Sequence, residues 1–238
     1  MIGSGGKVLA VIPARGGSKG IKRKNLCRIG GISLVGHAAI IAKKVRYVDK
    51  AIISTDDLDI AQEGERYGLE LPFMRPKKFS EDNSSALEMW THAWLQCEKY
   101  YNCRFEISIL LEPTSPLRKV NDVEQSIDIL TSGDSLAAAT ISRTPAHFTP
   151  HKRLVINDEG FVAFDHENGE YYSNRQKIPE YYYRNGICYA LQRECLIDEG
   201  TIIGKKCAPV FIDRDIVNID TPIDLKFAEF LYRLENSL

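Results

Sequence analysis

Hydrophobic residues in the first half of the chain occur in short, nearly continuous runs, separated by stretches in which apolar residues recur every three or four positions. Continuous runs are typical of strands buried on both faces, and the recurrence is typical of helices with one buried face. The runs predict strands over residues 7–13, 51–55, 69–73 and 106–111. The amphipathic stretches predict helices over 33–45, 58–67, 86–99 and 121–131, with Asp57 and Asn121 as N-caps.

A further strand over 135–141 continues this alternation. Alternating strands and helices favour a three-layer α/β/α fold of the Rossmann-like type, with a mostly parallel sheet between helices. Right-handed crossovers place the carboxyl ends of parallel strands along one edge, and ligands of such sheets bind there. Strands over 187–191 and 209–212 and a helix over 221–234 complete the predicted domain.

The region 143–185 has a different composition. Residues 153–164 (RLVINDEGFVAF) are two β-prone runs around a turn cluster, which is a hairpin signature, and an aromatic and basic stretch follows. We interpret 143–185 as a lid or dimerisation excursion from a single domain spanning residues 1–238, rather than as a second domain with its own core.

Composition excludes several functional classes. The 238 residues are 44% hydrophobic and 26% charged with a net charge of -1, which argues against a protein that coats nucleic acid or an anionic membrane. No apolar run approaches the ~20 residues of a spanning helix, and the N-terminal MIGSGGK is too polar for a signal peptide. The six cysteines contain no C-x-x-C pair, so we expect reduced thiols and a cytoplasmic location.

The loop after the first predicted strand is the strongest candidate site. In AVIPARGGSKGIKRKN, residues 10–25, five cations are interleaved with three glycines. Glycines let backbone N–H groups approach a ligand, and clustered cations favour an anion, so the loop predicts a polyphosphate site. Its spacing matches neither G-x-x-x-x-G-K-[ST] nor G-x-G-x-x-G. A solvated basic loop and a nucleic-acid patch are the alternatives.

Three further stretches accompany this loop: RPKKFSEDNSS at 75–85, LLEPTSPLR at 110–118 and IDTPIDL at 219–225. With IPARGGSKGIKRKN they resemble, in order and spacing, the motifs of the acylneuraminate cytidylyltransferases, the CMP-sialic acid synthetase family. The resemblance covers nearly the whole chain. It implies an enzyme that transfers CMP from CTP to the anomeric hydroxyl of a nine-carbon α-keto sugar acid of the sialic or legionaminic type, releasing pyrophosphate.

The resemblance also implies roles in the nucleotide site. Arg15 and Lys19 are expected to hold the triphosphate and to stabilise the charge on the leaving pyrophosphate. Nucleotide contacts are expected from Ala14, Gly16, Gly17, Asn25, Arg75 and Ser85. Phosphoryl transfer depends mainly on positioning and charge neutralisation, which agrees with a sequence that indicates no Ser-His-Asp pattern and no particular general base.

CTP is used with a divalent cation, and hard oxygen ligands suit Mg²⁺. The family has an Asp-x-Asp near the C-terminus where this chain has VNIDT, so Asn218 replaces the first carboxylate and Asp220 is the leading metal ligand. The competing interpretation is that Asp220 caps the helix that starts near Thr221. The two interpretations are compatible.

The implied acceptor site departs from the family twice. Glu112 stands where relatives carry Gln, which predicts a sugar other than plain N-acetylneuraminic acid. Arg175 matches a family arginine for the substrate's carboxylate, whereas the second arginine falls on Tyr183, with Arg184 one position later. Either Arg184 serves after a local shift or the pocket differs. The implied substrate-binding residues are Glu112, Thr114, Arg175, Arg184 and Asn185.

Other conspicuous side chains have structural interpretations. Trp90 and Trp94, four residues apart, predict one buried helix face. Arg118 is expected to lead into a helix or to form a structural ion pair rather than to contact a ligand.

Two other functions stay open. One keeps the fold and CTP but uses a 3-deoxy-octulosonate-type acid or another acceptor. The other is a catalytically silent nucleotide-binding protein, since a fold does not determine a function; the departures at Asn218 and Tyr183 favour it. For the enzyme, the resemblance implies a homodimer formed through 143–185, with small-molecule substrates and with neither nucleic-acid nor membrane partners.

Overall fold

The computed structural model describes residues 6–236, except for the side chains of Ser173 and Arg175. The described chain forms two compact units, of which Ile141–Arg184 is the smaller and the remaining residues are the larger. No helix in the described part is both long and apolar enough to cross a membrane. All six cysteines are free thiols.

The elements follow the predicted alternation of strand and helix. In chain order they are β1 (Val8–Pro13), β2 (Arg28–Ile29), β3 (Ile32–Ser33), α1 (Leu34–Lys44), β4 (Lys50–Ser54), α2 (Leu58–Arg66), α3 (Ala86–Tyr101), β5 (Ile107–Leu110), α4 (Val120–Ser132), β6 (Ala137–Arg143), β7 (Leu154–Ile156), β8 (Val162–Phe164), β9 (Tyr182–Gln192), β10 (Cys207–Phe211) and α5 (Pro222–Asn236). Short 3-10 and π-helical turns lie between them.

One six-stranded sheet forms the centre of the fold, with strand order β10-β6-β9-β5-β1-β4. Strands β4 and β5 both run parallel to β1, so that Ala10 pairs with Ala51 on one side and with Ile109 on the other. Strand β9 is antiparallel to β5, with Ile109 opposite Ala190. The mostly parallel sheet with flanking helices confirms the predicted α/β fold.

The central strand β1 buries side chains on both faces of the sheet. Val8, Ala10 and Ile12 belong to the apolar cluster that includes residues of α1 and α4. Leu9 and Val11 belong to the cluster on the other face, which includes α3. Alternate residues of a strand point to opposite faces, so a strand covered by helices on both sides needs a continuous apolar run.

The predicted buried face of α3 is confirmed. Trp90 and Trp94 are both 0% exposed. The indole Nε1 of Trp90 donates to Ser108 Oγ at 2.8 Å, which pairs its one polar atom inside the core.

Helix α5 packs against the short ladder of β2 and β3. Gly30, in the turn of that ladder, has φ +56°, and a Cβ there would overlap the ring of Tyr232. The Gly30 N–H donates to Glu229 Oε2 at 2.8 Å. Just before α5, the Ile219 N–H donates to Thr114 O at 2.8 Å. These contacts place residues 218–220 beside the segment that follows β5.

The smaller unit contains the predicted hairpin. Strands β7 and β8 pair antiparallel, with Leu154 opposite Phe164 and Ile156 opposite Val162. Gly160 lies in the connecting turn with φ +84°, a conformation that favours glycine.

Two sequence-based predictions of local structure are wrong. Residues 69–73 form one bridge, Glu70 with Ile52, and no strand. Pro72 lacks the N–H that would continue the pairing. Asn121 is not the N-cap of α4, because the N-cap is Lys119. Its N–H donates to Asp122 Oδ2 at 2.8 Å.

Candidate active site

A cavity of about 520 Å³ opens beside the carboxyl ends of β1 and β5. Its walls come from the loop after β1, the segment before α3, the segment after β5 and the segment before α5. These four stretches carry the motifs found in the sequence. The predicted site residues that line the cavity are Arg15, Lys19, Asn25, Arg75, Ser85, Glu112, Thr114 and Asp220.

Two glycines of the loop after β1 are required by close packing. A Cβ at Gly16 would lie 2.9 Å from Asp57 Oδ2, and a Cβ at Gly20 would overlap the carbonyl oxygen of Asp220. The Gly16 N–H donates to Asp56 Oδ1 at 3.0 Å. These contacts hold the loop against the segments after β4 and before α5.

The base of the loop is also fixed. The Ala14 N–H donates to Ser54 O at 3.0 Å, which extends the pairing of β1 with β4. The buried Asn25 carboxamide donates from Nδ2 to Arg15 O at 2.9 Å. A Cβ at Gly17 would meet nothing within 4 Å, so space for an approaching ligand is present there.

The side chains of Arg15 and Lys19 converge on one carboxylate. Arg15 Nη1 lies 3.1 Å from Asp82 Oδ1, and Lys19 Nζ lies 2.6 Å from Asp82 Oδ2. Arg15 Nη1 also lies 3.4 Å from Ser80 O. The two cations predicted to hold the triphosphate therefore face the same small volume, which already contains an anionic group.

The other cations of the loop divide between cavity and surface. Lys24 lines the cavity, whereas Lys22 and Arg23 do not. Arg23 has φ +55° and forms an ion pair with Asp59 at the start of α2. The basic run thus supplies three cavity cations, Arg15, Lys19 and Lys24.

Asp220 lines the cavity and does not cap α5. Its Oδ1 accepts from Lys24 Nζ at 3.0 Å, and the same ammonium donates to Ile219 O at 2.9 Å. At the start of α5, Thr221 and Asp224 form a reciprocal pair: the Thr221 N–H donates to Asp224 Oδ2 at 2.7 Å, and the Asp224 N–H donates to Thr221 Oγ1 at 3.4 Å. The interpretation of Asp220 as the helix cap is wrong, because Thr221 holds the position before the helix and the Asp220 carboxylate faces Lys24.

Arg75 and Ser85 line the cavity but are engaged by their own surroundings. The buried Arg75 guanidinium donates from Nε to Ser54 Oγ at 3.0 Å and from Nη2 to Ser54 O. Burial lowers the pKa of Arg75 to about 10. Ser85 is the N-cap of α3, with its Oγ accepting from the Glu88 N–H at 3.1 Å. Their predicted contacts with cytidine stay predictions.

Gly186, in β9, lies next to residues of two other segments. It has φ +73°, and a Cβ there would lie 2.8 Å from Glu112 Oε2, 3.0 Å from Ser115 Oγ and 3.1 Å from Asn218 Nδ2. The Glu112 carboxylate and the Asn218 amide therefore border the same narrow space. These are two of the three positions at which the sequence departs from the family pattern, and Tyr183 is the third.

Arg118 is a structural residue, but its hydrogen bonds go to backbone carbonyls and not to the carboxylate of a predicted ion pair. Its buried guanidinium donates from Nη2 to Glu112 O at 2.8 Å and to Gly186 O at 3.3 Å, and from Nε to Ile187 O. Burial lowers the pKa of Arg118 to about 10. It ties the segment after β5 to β9 and so fixes the backbone of Glu112.

The remaining predicted acceptor residues are Asn185, Arg184 and Arg175. Asn185 is 1% exposed, and its Oδ1 accepts from the Ile187 N–H at 3.2 Å. Arg184 is exposed and belongs to the smaller unit. The side chain of Arg175 lies outside the described residues. Their roles stay predictions.

The predicted metal ligands are Asp220 and Asn218. Within residues 6–236, no group of three or more His, Cys, Asp or Glu side chains is arranged to hold a metal ion. Asp220 presents an exposed carboxylate to the cavity, while Asn218 lies near Gly186. Mg²⁺ is commonly bound by one or two carboxylates together with substrate phosphates. The Asp220 carboxylate fits that pattern.

The four segments that carry the sequence motifs thus line one cavity. The family model that describes cytidylyltransferases matches residues 9–235. The chain belongs to the cytidylyltransferase family. It is accordingly a CTP-dependent nucleotidyltransferase.

Several relatives of this family are similar over their whole length. Post-translational flagellin modification protein B of Campylobacter coli is 29% identical over 97% of each chain. CMP-N,N'-diacetyllegionaminic acid synthase of Campylobacter jejuni is also 29% identical over 97% of each chain. Pseudaminic acid cytidylyltransferase of the same species is 29% identical and covers 97% of this chain and 98% of its own.

Among solved structures, CMP:2-keto-3-deoxy-manno-octonic acid synthetase complexed with CTP is similar with a TM-score of 0.70. The match covers 98% of this chain and 100% of that chain, at 19% identity. This similarity confirms the fold.

Sequence reasoning missed one cavity residue, Asp82. It pairs with cations more than 60 residues earlier in the chain, and no local pattern indicates such a contact.

Proposed function

We propose that this protein transfers CMP from CTP to the anomeric hydroxyl of a nine-carbon α-keto sugar acid. The observation that carries the proposal is the convergence of Arg15 and Lys19 on one anionic group at the carboxyl end of β1. Arginine and lysine together suit a polyphosphate, because the guanidinium contacts two oxygens and the ammonium supplies a compact charge. The family supplies the nucleotide, CTP.

In the proposed reaction, the anomeric oxygen attacks the α-phosphorus of CTP and the bond to the β-phosphate oxygen breaks. Pyrophosphate leaves with that bonding pair, and the hydroxyl proton passes to water. Arg15 and Lys19 stabilise the negative charge that accumulates on the departing phosphates. The hydrogen bond from Asn25 to Arg15 O fixes the start of the loop that carries both cations.

We further propose that Asp220 holds a divalent cation, with Mg²⁺ the expected ion. When bound, the cation would polarise the phosphate oxygens. In this chain the Asp220 carboxylate is neutralised by Lys24. Lys24 therefore competes with the cation until phosphates arrive with further negative charge.

For the acceptor, we propose a diacetylated nonulosonic acid, legionaminic or pseudaminic, rather than plain N-acetylneuraminic acid. Two of the relatives are named for these acids. Glu112 lines the cavity, and a carboxylate accepts hydrogen bonds from amide N–H groups as well as hydroxyls. A second acetamido group would give Glu112 such a donor. The roles of Arg175 and Arg184 in binding the acceptor's carboxylate belong to this proposal.

A homodimer is also proposed. The smaller unit leaves large apolar side chains exposed along its hairpin: Leu154 at 54%, Ile156 at 75%, Phe161 at 66% and Val162 at 70%. Apolar patches of this kind are typical of protein–protein contacts. A monomer mass by light scattering at micromolar concentration would contradict the proposal.

The function is tested by pyrophosphate release. The purified protein would be incubated with CTP, Mg²⁺ and one acid at a time: N,N'-diacetyllegionaminic, pseudaminic, N-acetylneuraminic or 3-deoxy-manno-octulosonic acid. We expect the fastest release with a diacetylated nine-carbon acid and loss of release in Arg15→Ala. Release with the octulosonate alone would support the shorter acceptor. CTP binding without release on any acid would support the silent nucleotide-binding protein.

A further inference from the structure

Asp82 occupies the position where Arg15 and Lys19 meet. One of its oxygens lies 3.1 Å from Arg15 Nη1 and the other 2.6 Å from Lys19 Nζ. The hydrogen bond from Lys19 lowers the pKa of the Asp82 carboxyl below its ordinary value. The carboxylate therefore stays charged at neutral pH and bridges both cations.

A phosphate group would use the same two cations through the same kind of oxygen pair. Both anions would occupy the same small volume between Arg15 and Lys19, where their negative charges repel. The Asp82 carboxylate and a triphosphate therefore cannot both remain between Arg15 and Lys19 at low energy. One anion must replace the other.

The Asp82 side chain is free to rotate away from Arg15 and Lys19. It lies in an exposed turn between the 3-10 turn Lys77–Phe79 and α3. Its side chain is 46% exposed. The turn is closed by its own hydrogen bonds, Ser84 Oγ to Lys78 O at 2.7 Å and Ser84 N–H to Glu81 O at 3.1 Å. Rotation of the Asp82 side chain into solvent breaks none of these bonds.

We infer that Asp82 is an internal competitor of the triphosphate, displaced when CTP binds and returning to Arg15 and Lys19 as pyrophosphate leaves. Asp82 thereby weakens the binding of CTP and of the pyrophosphate product alike. This inference rests on the proposed function, which assigns the triphosphate to these two cations. Asp82 is a residue that sets nucleotide affinity without contacting the nucleotide in its bound state.

The test compares wild-type protein with Asp82→Asn by calorimetric titration of CTP, inorganic pyrophosphate and cytidine. Exposed ion pairs contribute modestly, so removing two of them is expected to lower the Kd for CTP and for pyrophosphate about three- to tenfold. The Kd for cytidine, which carries no phosphate, should not change. Pyrophosphate should also inhibit the Asp82→Asn enzyme at correspondingly lower concentrations.

Glu81→Gln is the matched control, because Glu81 lines the same cavity and its loss changes the net charge equally. Among the described residues, the Glu81 side chain makes no ion pair with either cation. We expect less than a twofold change in Kd. An equal tightening in Glu81→Gln would overturn the direct competition and leave only a general effect of charge.

An unchanged or higher Kd for CTP in folded Asp82→Asn, with normal binding by the wild type, would also overturn the inference. In that case Asp82 would orient the two cations rather than compete for them, and the proposed function would stand. Failure of the wild type to bind both CTP and pyrophosphate would instead contradict the proposed function. The two failures are therefore distinct.

Discussion

Lys24 Nζ lies 3.0 Å from Asp220 Oδ1, which joins the loop after β1 to the segment before α5 across 196 positions of the chain. The Lys24 side chain is 16% exposed and that of Asp220 is 74% exposed. The ammonium is thus held by its surroundings, whereas the carboxylate is free to turn towards a ligand in the cavity. In the proposed metal site, Asp220 is therefore the partner expected to exchange Lys24 for a metal ion.

Asp220→Asn is expected to raise the Mg²⁺ concentration that gives half-maximal pyrophosphate release by about tenfold or more, because an amide brings no charge to the cation. Activity should partly recover at high Mg²⁺. Glu81→Gln is the matched control: it removes one carboxylate from the same cavity and should leave the Mg²⁺ dependence unchanged. Identical Mg²⁺ curves for both variants would show that Asp220 holds no metal.

Gly186→Ala should reduce transfer to the acceptor while leaving CTP binding nearly intact. A Cβ at this position would enter the space between the Glu112 carboxylate and the Asn218 amide and displace both. Steady-state kinetics with the acceptor, together with titration of CTP, would measure the two effects.

Gly31→Ala separates crowding from backbone strain. Gly31 also has a positive φ, +82°, but a Cβ there would meet nothing within 4 Å. Both variants incur the strain of a left-handed residue, about 1–2 kcal/mol. Equal losses of activity in the two variants would mean that strain, not the contacts around Gly186, explains the effect.

Glu112 and Asn218 are expected to act as a unit. They border the same space around Gly186, and residues in contact or sharing a network show coupling of about 0.5–3 kcal/mol. In a double-mutant cycle of Glu112→Gln and Asn218→Asp, the double variant should retain more acceptor activity than the product of the single effects, because it keeps one carboxylate in this space. Additive effects on kcat/KM would contradict the coupling, and an unchanged ranking of acceptors in Glu112→Gln would contradict the role of Glu112 in specificity.

Because His37 is buried, we expect the folding stability to decrease in weak acid. Its Nε2 lies 2.9 Å from Ile29 O, and its ring meets the Tyr232 ring edge-on at 5.4 Å. Burial lowers the pKa of His37, while nearby Glu229 opposes that change. The unfolded chain therefore takes up the proton first as the pH falls through about 6.5, and folding stability decreases from there down to the folded-state pKa.

The replacement His37→Gln keeps an N–H donor without the titration. Between pH 7.5 and pH 5, the wild type should lose more unfolding free energy in urea than this variant, by at most about 1.4 kcal/mol for each pH unit. The exposed His147 offers a control, since His147→Gln should follow the wild type. Parallel curves for wild type and His37→Gln would show that His37 does not titrate in this range.

The parts of the fold that depend on local pattern could be predicted from the sequence. A continuous apolar run predicts strand β1, and apolar residues at helical spacing predict the buried face of α3. Asp57 caps α2 as its position predicts. The exceptions have local causes as well. Pro72 ends the pairing that an apolar run at 69–73 indicates, and Asp122 supplies the cap contact assigned to Asn121.

The cavity was predictable to the extent that its residues lie in short motifs. The clustered cations and glycines of the loop that carries Arg15 and Lys19 predict an anion site from composition. The burial and the partners of each cavity side chain were not predictable, because they depend on residues far along the chain. Arg75 is buried against Ser54, and Asp82 pairs with the loop cations. Neither contact leaves a periodic signal in the sequence.

Strands β6 and β9 are neighbours in the sheet, and the segment Ile141–Arg184 connects them. The two ends of this segment are therefore held about one strand spacing apart, ~4.8 Å, so that it is an insertion between adjacent strands. Insertions, deletions or wholesale exchange of such a segment leave the strand order and the cavity loops unaltered. In evolution such a segment can change while the sheet that carries the cavity is inherited intact.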